Sequence, residues 1–380
     1  LAAFPATRRA ADARRQHAEQ RPPASLSFEV EDALGSGDYQ GVDQAQFTLA
    51  LSQAFELGGR RAARSQVAES GRARVEGDYE FARAEVAAAV AAQFIHVVGD
   101  QQELAWSREA VRLAEETLAT VRQRVQAAAA SPLDEKRARI ALARARIVEE
   151  HHEHELETAR RQLAALWGAA EADFSEAAAD LFARPAVPDY NDLIARIGRS
   201  PELRQWAGEK TVREAEIRLA ESRRRPDIMA GLGVRQYAAT DDVGVVAQIS
   251  MPLGTRSRAA AGVAEAQAWR DTADAGERET ELRLRTALFG IAQELRHART
   301  ELDALESEIL PDAEAALQIA REGFAQARYS QLELLDAQRT VLELRLERIE
   351  AAVAFHQFIV QLEKILGEPV TRRVAAAQPK

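Results

Sequence analysis

From Phe47 to Leu57 the chain alternates, with Phe47, Leu49, Leu51, Phe55 and Leu57 on one parity, Gln53 the exception, against Thr48, Ala50, Ser52, Ala54 and Glu56 on the other. A period of two predicts a strand with two unlike faces. Beyond Gly58-Gly59 the sequence turns Ala- and Arg-rich, and no proline follows before Pro132. A strand therefore hands over to a very long helix. Similar alternation predicts three more strands at 25–33, 227–236 and 243–253. In the first of these Leu26, Phe28 and Val30 oppose Ser27, Glu29 and Glu31, and in the last Val243, Val245, Ile249 and Met251 oppose Gly244, Gln248 and Ser250.

The order of elements repeats. A first repeat, 1–195, holds strands at 25–33 and 42–57, long helices at 60–130 and 133–167, and the start of a connector at 169–199. A second repeat, 196–380, holds strands at 227–236 and 243–253, long helices at 256–328 and 331–366, and a C-terminal tail. Leu57 precedes Leu253 by 196 residues, while Leu133 precedes Leu332, and Gly168 precedes Gly367, by 199. An offset that changes so little over more than a hundred residues indicates duplication. Each strand pair is also preceded by a proline-started helix, at Phe4-Pro5 and Ser200-Pro201, that ends before Pro22 or Pro226.

The long helices carry an apolar seam. Leu284, Ile291, Ala298 and Leu305 recur every seven residues beside Leu288, Leu295, Leu302 and Ile309, and Leu104, Val111, Leu118 and Val125 do so in the first repeat. Sustained heptads predict helices that supercoil against neighbours. About 70 helical residues span roughly 100 Å, so return helices of half that length need help from the shorter ones, at 201–224 and at the N-terminus. Pro311 predicts a kink or short break.

Composition narrows the class. Of 380 residues 6 % are aromatic and 29 % charged, lean for globular domains of that size, and elongated structure is expected. A net charge of −10 with only short, scattered basic runs argues against nucleic acid. The chain has no cysteine, which excludes disulfides, thiolate ligands and lipid attached through sulfur. No apolar run approaches the ~20 residues of a membrane-spanning helix, and Leu1 to Pro5 is not a secretory signal, as expected of a mature or trimmed chain. There is neither a phosphate loop at Gly58-Gly59-Arg60 nor a Gly-x-Ser-x-Gly elbow, so no enzyme is expected and no cofactor.

Two readings fit the strands. One is an ordinary half-buried sheet on a helix, as in a soluble coiled-coil scaffold or adaptor. In the other, apolar positions face lipid while Glu29, Glu31, Gln44, Gln46 and Gln248 face water inside a barrel. Four strands cannot close, and open edges are not tolerated in a bilayer. Copies must then share a barrel, eight strands from two or twelve from three.

In the order of these elements the chain resembles the TolC-like outer membrane factor family over nearly its whole length. "SLSFEVEDALG" (25–35), "LSQAFELGGRRAARSQVAE" (51–69), "AAAASPLDEKRARIALARA" (127–145) and "GFAQARYSQLELLDAQRTVLELR" (323–345) look like the outer membrane subunits of cobalt-zinc-cadmium type heavy-metal efflux systems. The resemblance implies an α+β fold, mostly long helices with internal duplication. It further implies a homotrimer whose twelve-stranded barrel sits in outer membrane lipid and continues as a helical barrel across the periplasm. The function implied is a passive duct that docks with a periplasmic adaptor protein and an inner-membrane resistance-nodulation-division pump to export heavy-metal cations. A duct for drugs, other small molecules or proteins is the rival within the family. Members usually have a longer segment before the first proline-started helix, and a glycine at the first helix turn, where this chain has Ala127 to Ala130.

The same resemblance matches Glu333 and Asp336, three apart on one helical face, to acidic residues that ring the periplasmic opening; the alternative is that they favour the start of the following helix. In the duplication Asp134 matches Glu333 and Arg137 matches Asp336, and an Arg137–carboxylate contact across helices is a candidate latch. Gly58, Gly59, Pro252 and Gly254 mark the joints between barrel and tunnel. "EEHHEHELE" (149–157) offers His151 with Glu155 and Glu150 with His154 at helical spacing, yet two ligands do not make a site, and the run is read as a polar helix face with no metal. His96, His297 and His356 and the four tryptophans are expected to pack between helices.

Overall fold

The computed structural model describes residues 1–371; the end of the expected C-terminal tail, with Arg372-Arg373, lies outside the described residues. The elements are α1 (Phe4–Glu19), β1 (Ser25–Glu31), β2 (Gln46–Phe55), α2 (Arg60–Gln126), α3 (Pro132–Ala165), α4 (Tyr190–Ile194), α5 (Pro201–Ser222), β3 (Ile228–Tyr237), β4 (Asp242–Ser250), α6 (Thr255–Ala304), α7 (Leu310–Ala325) and α8 (Gln331–Leu366). Two compact units form, residues 1–81 with 202–281 and residues 82–201 with 282–380. Each unit draws on both repeats.

The first unit holds one antiparallel sheet in the order β1-β2-β3-β4. Its register aligns the apolar positions in rows across all four strands: Leu26, Leu51, Leu232 and Ala247, then Phe28, Leu49, Val234 and Val245. The large side chains of these rows are exposed, Val245 at 76 % and Leu26 at 69 %. The other face is polar or small, with rows such as Ser25, Ser52, Gly231 and Gln248. Gly233 is required there, because a Cβ would fall within 2.6 Å of the Leu49 carbonyl oxygen. Strand β2 starts later than the alternation suggests, after a 3-10 turn at Gly37–Tyr39, so Gln44 lies in a turn rather than on the polar face. β4 stops at Ser250, ahead of Pro252, which has no N–H for a ladder. Beside the sheet, α1 pairs with α2 through Arg8 to Glu76 (2.5 Å) and Arg72 to Asp12 (2.6 Å). Likewise α5 joins α2 through Arg74 to Glu209 (2.7 Å) and α6 through Lys210 to Glu277 (2.6 Å).

The second unit is helical. Its main core joins Val97, Val98 and Leu104 of α2, Leu156 and Leu163 of α3, and Leu288, Leu295 and Leu302 of α6 to Ala352, Phe355, Leu362 and Leu366 of α8. Ala177, Leu181, Leu193 and Ile197 of the connector are buried with them or beside them. A separate cluster at the helix reversals includes Leu118, Val121, Ala138, Leu317, Phe324, Leu334 and Val341.

Three features sharpen or depart from the sequence expectations. Pro311 is accommodated by a five-residue π turn, Leu305–Ile309, leading directly into α7. A wide turn relieves the carbonyl that proline would clash with, and it also throws Ile309 out of the seam, 42 % exposed. Among the described residues α2 does pass as long and apolar enough to cross a membrane, with an 18-residue window at mean hydropathy 1.4; alanine raises that average without adding bulk, and Val97 and Val98 of the same helix are core residues. Finally, Trp106 and Trp206 pack as expected, but Trp167 and Trp269 are about half exposed, and His96 and His297 are exposed too.

Candidate functional site

At the joint between strand and helix, Gly58, Gly59 and Gly254 all have positive φ, at 74°, 74° and 75°. Gly58 is doubly constrained, since a Cβ would also lie 2.8 Å from the Ser222 carbonyl oxygen at the end of α5. Pro252 lies between β4 and Gly254, ahead of α6. Arg60 pairs with Asp227, and the Leu57 N–H points to the same carboxylate at 3.4 Å. Sequence reasoning missed Arg64, which forks onto Glu56 (2.5 and 3.2 Å) and donates to the carbonyls of Ala18 (3.0 Å) and Gln20 (2.9 Å) at the end of α1. Its cue was the Glu56–Arg64 spacing of eight across a glycine turn. Glu56 is thereby held against Arg64.

On the polar face of the sheet, Arg235 is the hub. It donates to Thr48 Oγ1 (2.8 Å) and Gln46 Oε1 (2.8 Å) and pairs with Glu31 (2.6 Å), tying three strands together. Thr48 is buried beneath it.

The helix reversals follow one backbone plan. Ala128 and Ala327, 199 apart, are left-handed at φ 56° and 58°, so alanine takes the place of the expected glycine. Ser131 and Ser330 then cap α3 and α8, each in a capping box with the acid three residues on. Asp134 accepts from the Ser131 N–H (3.2 Å) and Glu333 from the Ser330 N–H (2.6 Å) and hydroxyl (2.8 Å). Those bonds hold the Glu333 carboxyl below its ordinary range. Glu333 and Asp336 are exposed, and among the described residues no arginine or lysine ion-pairs with either. Arg137 meets Asp134 of its own helix at 3.8 Å, and no cross-helix partner of Arg137 occurs among the described residues. The two reversals touch through Gln331, whose side-chain amide donates to the Asp134 carbonyl (3.1 Å).

In the histidine run the expected pairs form, His151 to Glu155 at 3.2 Å and His154 to Glu150 at 3.9 Å, both on the exposed side. The residue that turns inward is His152, edge-on to Trp106 and close to Glu103 of α2. Burial, with Asp100, Glu155 and Glu350 adding repulsion, pushes the Glu103 carboxyl up to about 7. Burial likewise lowers His152. Glu103 was invisible to a search along one helix, because it lies 49 residues before His152.

A family model described as "Outer membrane efflux protein" matches residues 1–169 and 195–368. The chain is 28 % identical to the cobalt-zinc-cadmium resistance protein CzcC of Cupriavidus metallidurans over 84 % of this chain and 77 % of that one. It is also 28 % identical to the nickel-cobalt-cadmium resistance protein NccC of Alcaligenes xylosoxydans xylosoxydans, over 63 % of this chain and 56 % of that one. Among solved structures, the outer membrane protein VceC of Vibrio cholerae superposes with a TM-score of 0.79 at 16 % identity, covering 97 % of this chain and 93 % of that one.

Proposed function

The chain belongs to the outer membrane efflux protein family and is an outer membrane channel, and from that premise we propose a passive duct for heavy-metal cations, closed by three copies into a twelve-stranded barrel. The observation that carries this reading is the sheet itself. A four-stranded sheet exposes rows of leucine, valine and phenylalanine on one face, presents Arg235, Glu31 and Gln46 on the other, and leaves β1 and β4 as edges. In lipid such edges must be paired, and twelve strands leave room for a channel.

Metal cations are favoured as cargo by the relatives, which are named for resistance to cobalt, zinc, cadmium and nickel. The duct supplies no energy. Engagement with a periplasmic adaptor and an inner-membrane resistance-nodulation-division pump completes the system, and the helix reversals form the end that meets them. In three copies Glu333 and Asp336 line the periplasmic aperture and concentrate negative charge where a cation must pass.

Planar-bilayer recording tests the aperture. Glu333→Gln with Asp336→Asn is expected to lower the cation-over-anion permeability ratio several-fold, whereas Asp134→Asn changes it little because Arg137 already offsets that charge. An unchanged ratio in the double variant removes both residues from the aperture. For the cargo, a strain lacking the protein becomes sensitive to zinc, cobalt or cadmium and not to drugs; the opposite pattern favours the drug-duct reading.

A further inference from the structure

Glu103 on α2 and His152 and Glu155 on α3 bring one ring nitrogen and two carboxylates together, with the donor atoms all within 4.8 Å of one another. His152 is 9 % exposed. Its Nδ1 is buried and has no hydrogen-bond partner, although it stands 3.3 Å from Glu103 Oε2 and 3.1 Å from Glu155 Oε2. A ring nitrogen presents one N–H or one lone pair in the ring plane, so it cannot serve two carboxylates, and leaving it unpaired is costly. A tetrahedral ion with bonds of about 2.0–2.2 Å has ligand-to-ligand edges of about 3.3–3.5 Å, close to both observed separations. Among the described residues no arginine or lysine ion-pairs with Glu103, Glu155 or neighbouring Asp100. A cation would supply the missing charge and meet the buried lone pair.

The surroundings are those of a ligand set. The Trp106 ring stands edge-on to the imidazole, its centroid 5.8 Å away, and limits its rotation. The second oxygen of Glu155 lies 3.2 Å from His151 Nε2, a partner that orients the carboxylate. One imidazole and two carboxylates, without sulfur and with a position left for water, suit zinc and its first-row neighbours better than copper(I) or magnesium.

We infer that Glu103, His152 and Glu155 form a binding site for one zinc-class divalent cation per chain, bridging α2 and α3. Glu103 lies 23 residues before the end of α2, roughly 35 Å of helix, so the site is separate from the carboxylates at the reversals. It depends on geometry alone and not on the identity of the cargo.

The test uses the whole chain, purified in detergent and stripped with chelator, titrated with cobalt(II) and then zinc(II). The expected result is one cobalt per chain with the intense visible bands of tetrahedral coordination, lost when zinc is added. His152→Ala, Glu103→Gln and Glu155→Gln each weaken binding at least tenfold, with circular dichroism unchanged, while His154→Ala, on the exposed side, leaves it intact. Glu155→Gln keeps the test decisive if His152→Ala fails to fold, because Glu155 is exposed. Absence of bound cobalt in the wild type, or equal binding in Glu155→Gln, overturns the site. Metal sensitivity of cells is a separate measurement: binding without any role in metal resistance sinks the cargo reading and leaves the site standing, and resistance without binding does the reverse.

Discussion

The first helix reversal sets Ala128, Ser131 and Asp134 where the second, 199 residues on, sets Ala327, Ser330 and Glu333. Their backbones share the left-handed alanine and the capping box. Even an ion pair above them repeats, Arg146 to Glu115 at 2.7 Å and Arg345 to Glu314 at 2.6 Å. What differs is how each reversal is filled and charged. In the second, the Tyr329 ring occupies the space over Gly323, where a Cβ would clash with it. In the first the equivalent positions are Ala130 and Arg124, and Arg124 reaches across to stack on Phe324, 4.3 Å from the ring centroid. On the first side Asp134 lies near Arg137, and Glu135 pairs with Arg122 and Arg139. The second side keeps Glu333 without an arginine or lysine partner among the described residues. Duplication thus preserved what the backbone needs and let the side chains diverge where the two copies meet.

The largest effect is expected from Gly323→Val, which drives a side chain into the Tyr329 ring. Overpacking of that kind costs about 1–3 kcal/mol, read as faster amide hydrogen exchange in peptides covering the second reversal and not the first. Adding Tyr329→Ala should restore protection; no change in the single variant would mean that the tyrosine is not what fills this turn.

A smaller and symmetric effect should follow from removing the caps. Ser131→Ala and Ser330→Ala are each expected to cost about 1 kcal/mol of local stability, and unequal losses would show that the shared backbone hides unequal strain. The second cap also responds to pH. Glu333 is held below the ordinary glutamate value of 4.5 by its bonds to Ser330, so its contribution is fully present above that pH and is lost only as pH falls through the lower folded value. In Ser330→Ala the backbone N–H bond remains but the hydroxyl bond is gone, so the pH-dependent part of the contribution should shrink.

The least change is expected from relieving the left-handed alanines. Ala128→Gly and Ala327→Gly should each slow local opening by up to about 1 kcal/mol, because glycine tolerates positive φ while giving back some chain entropy. A destabilising result would mean that the alanine methyl makes a contact worth more than the strain.

These contrasts also mark how far the chain could be read without coordinates. Alternation in four short runs and a nearly constant offset exposed the strands and the duplication, because both are read directly along the sequence. Glu333 and Asp134 were legible as acids at helix starts, and the capping geometry follows from Ser-x-x-acid spacing alone. Arg64 over the end of α1, Tyr329 over Gly323 and the choice of His152 over His151 and His154 were not. Each depends on which face of a helix meets a distant partner, and Glu103 is reached only when two helices pack. Pro311 predicts a kink or short break, and the interruption takes the form of one wide π turn between α6 and α7.

The open edges of the sheet carry a consequence for biogenesis. A lone chain has two unpaired strands, β1 and β4, and joining a second chain edge to edge hides two edges but still leaves two exposed. In the twelve-stranded barrel only the third arrival removes them all. A pair still carries as many open edges as a lone chain, so in the proposed trimer the third joining removes the last of them, and dimers are expected to be scarce in the membrane.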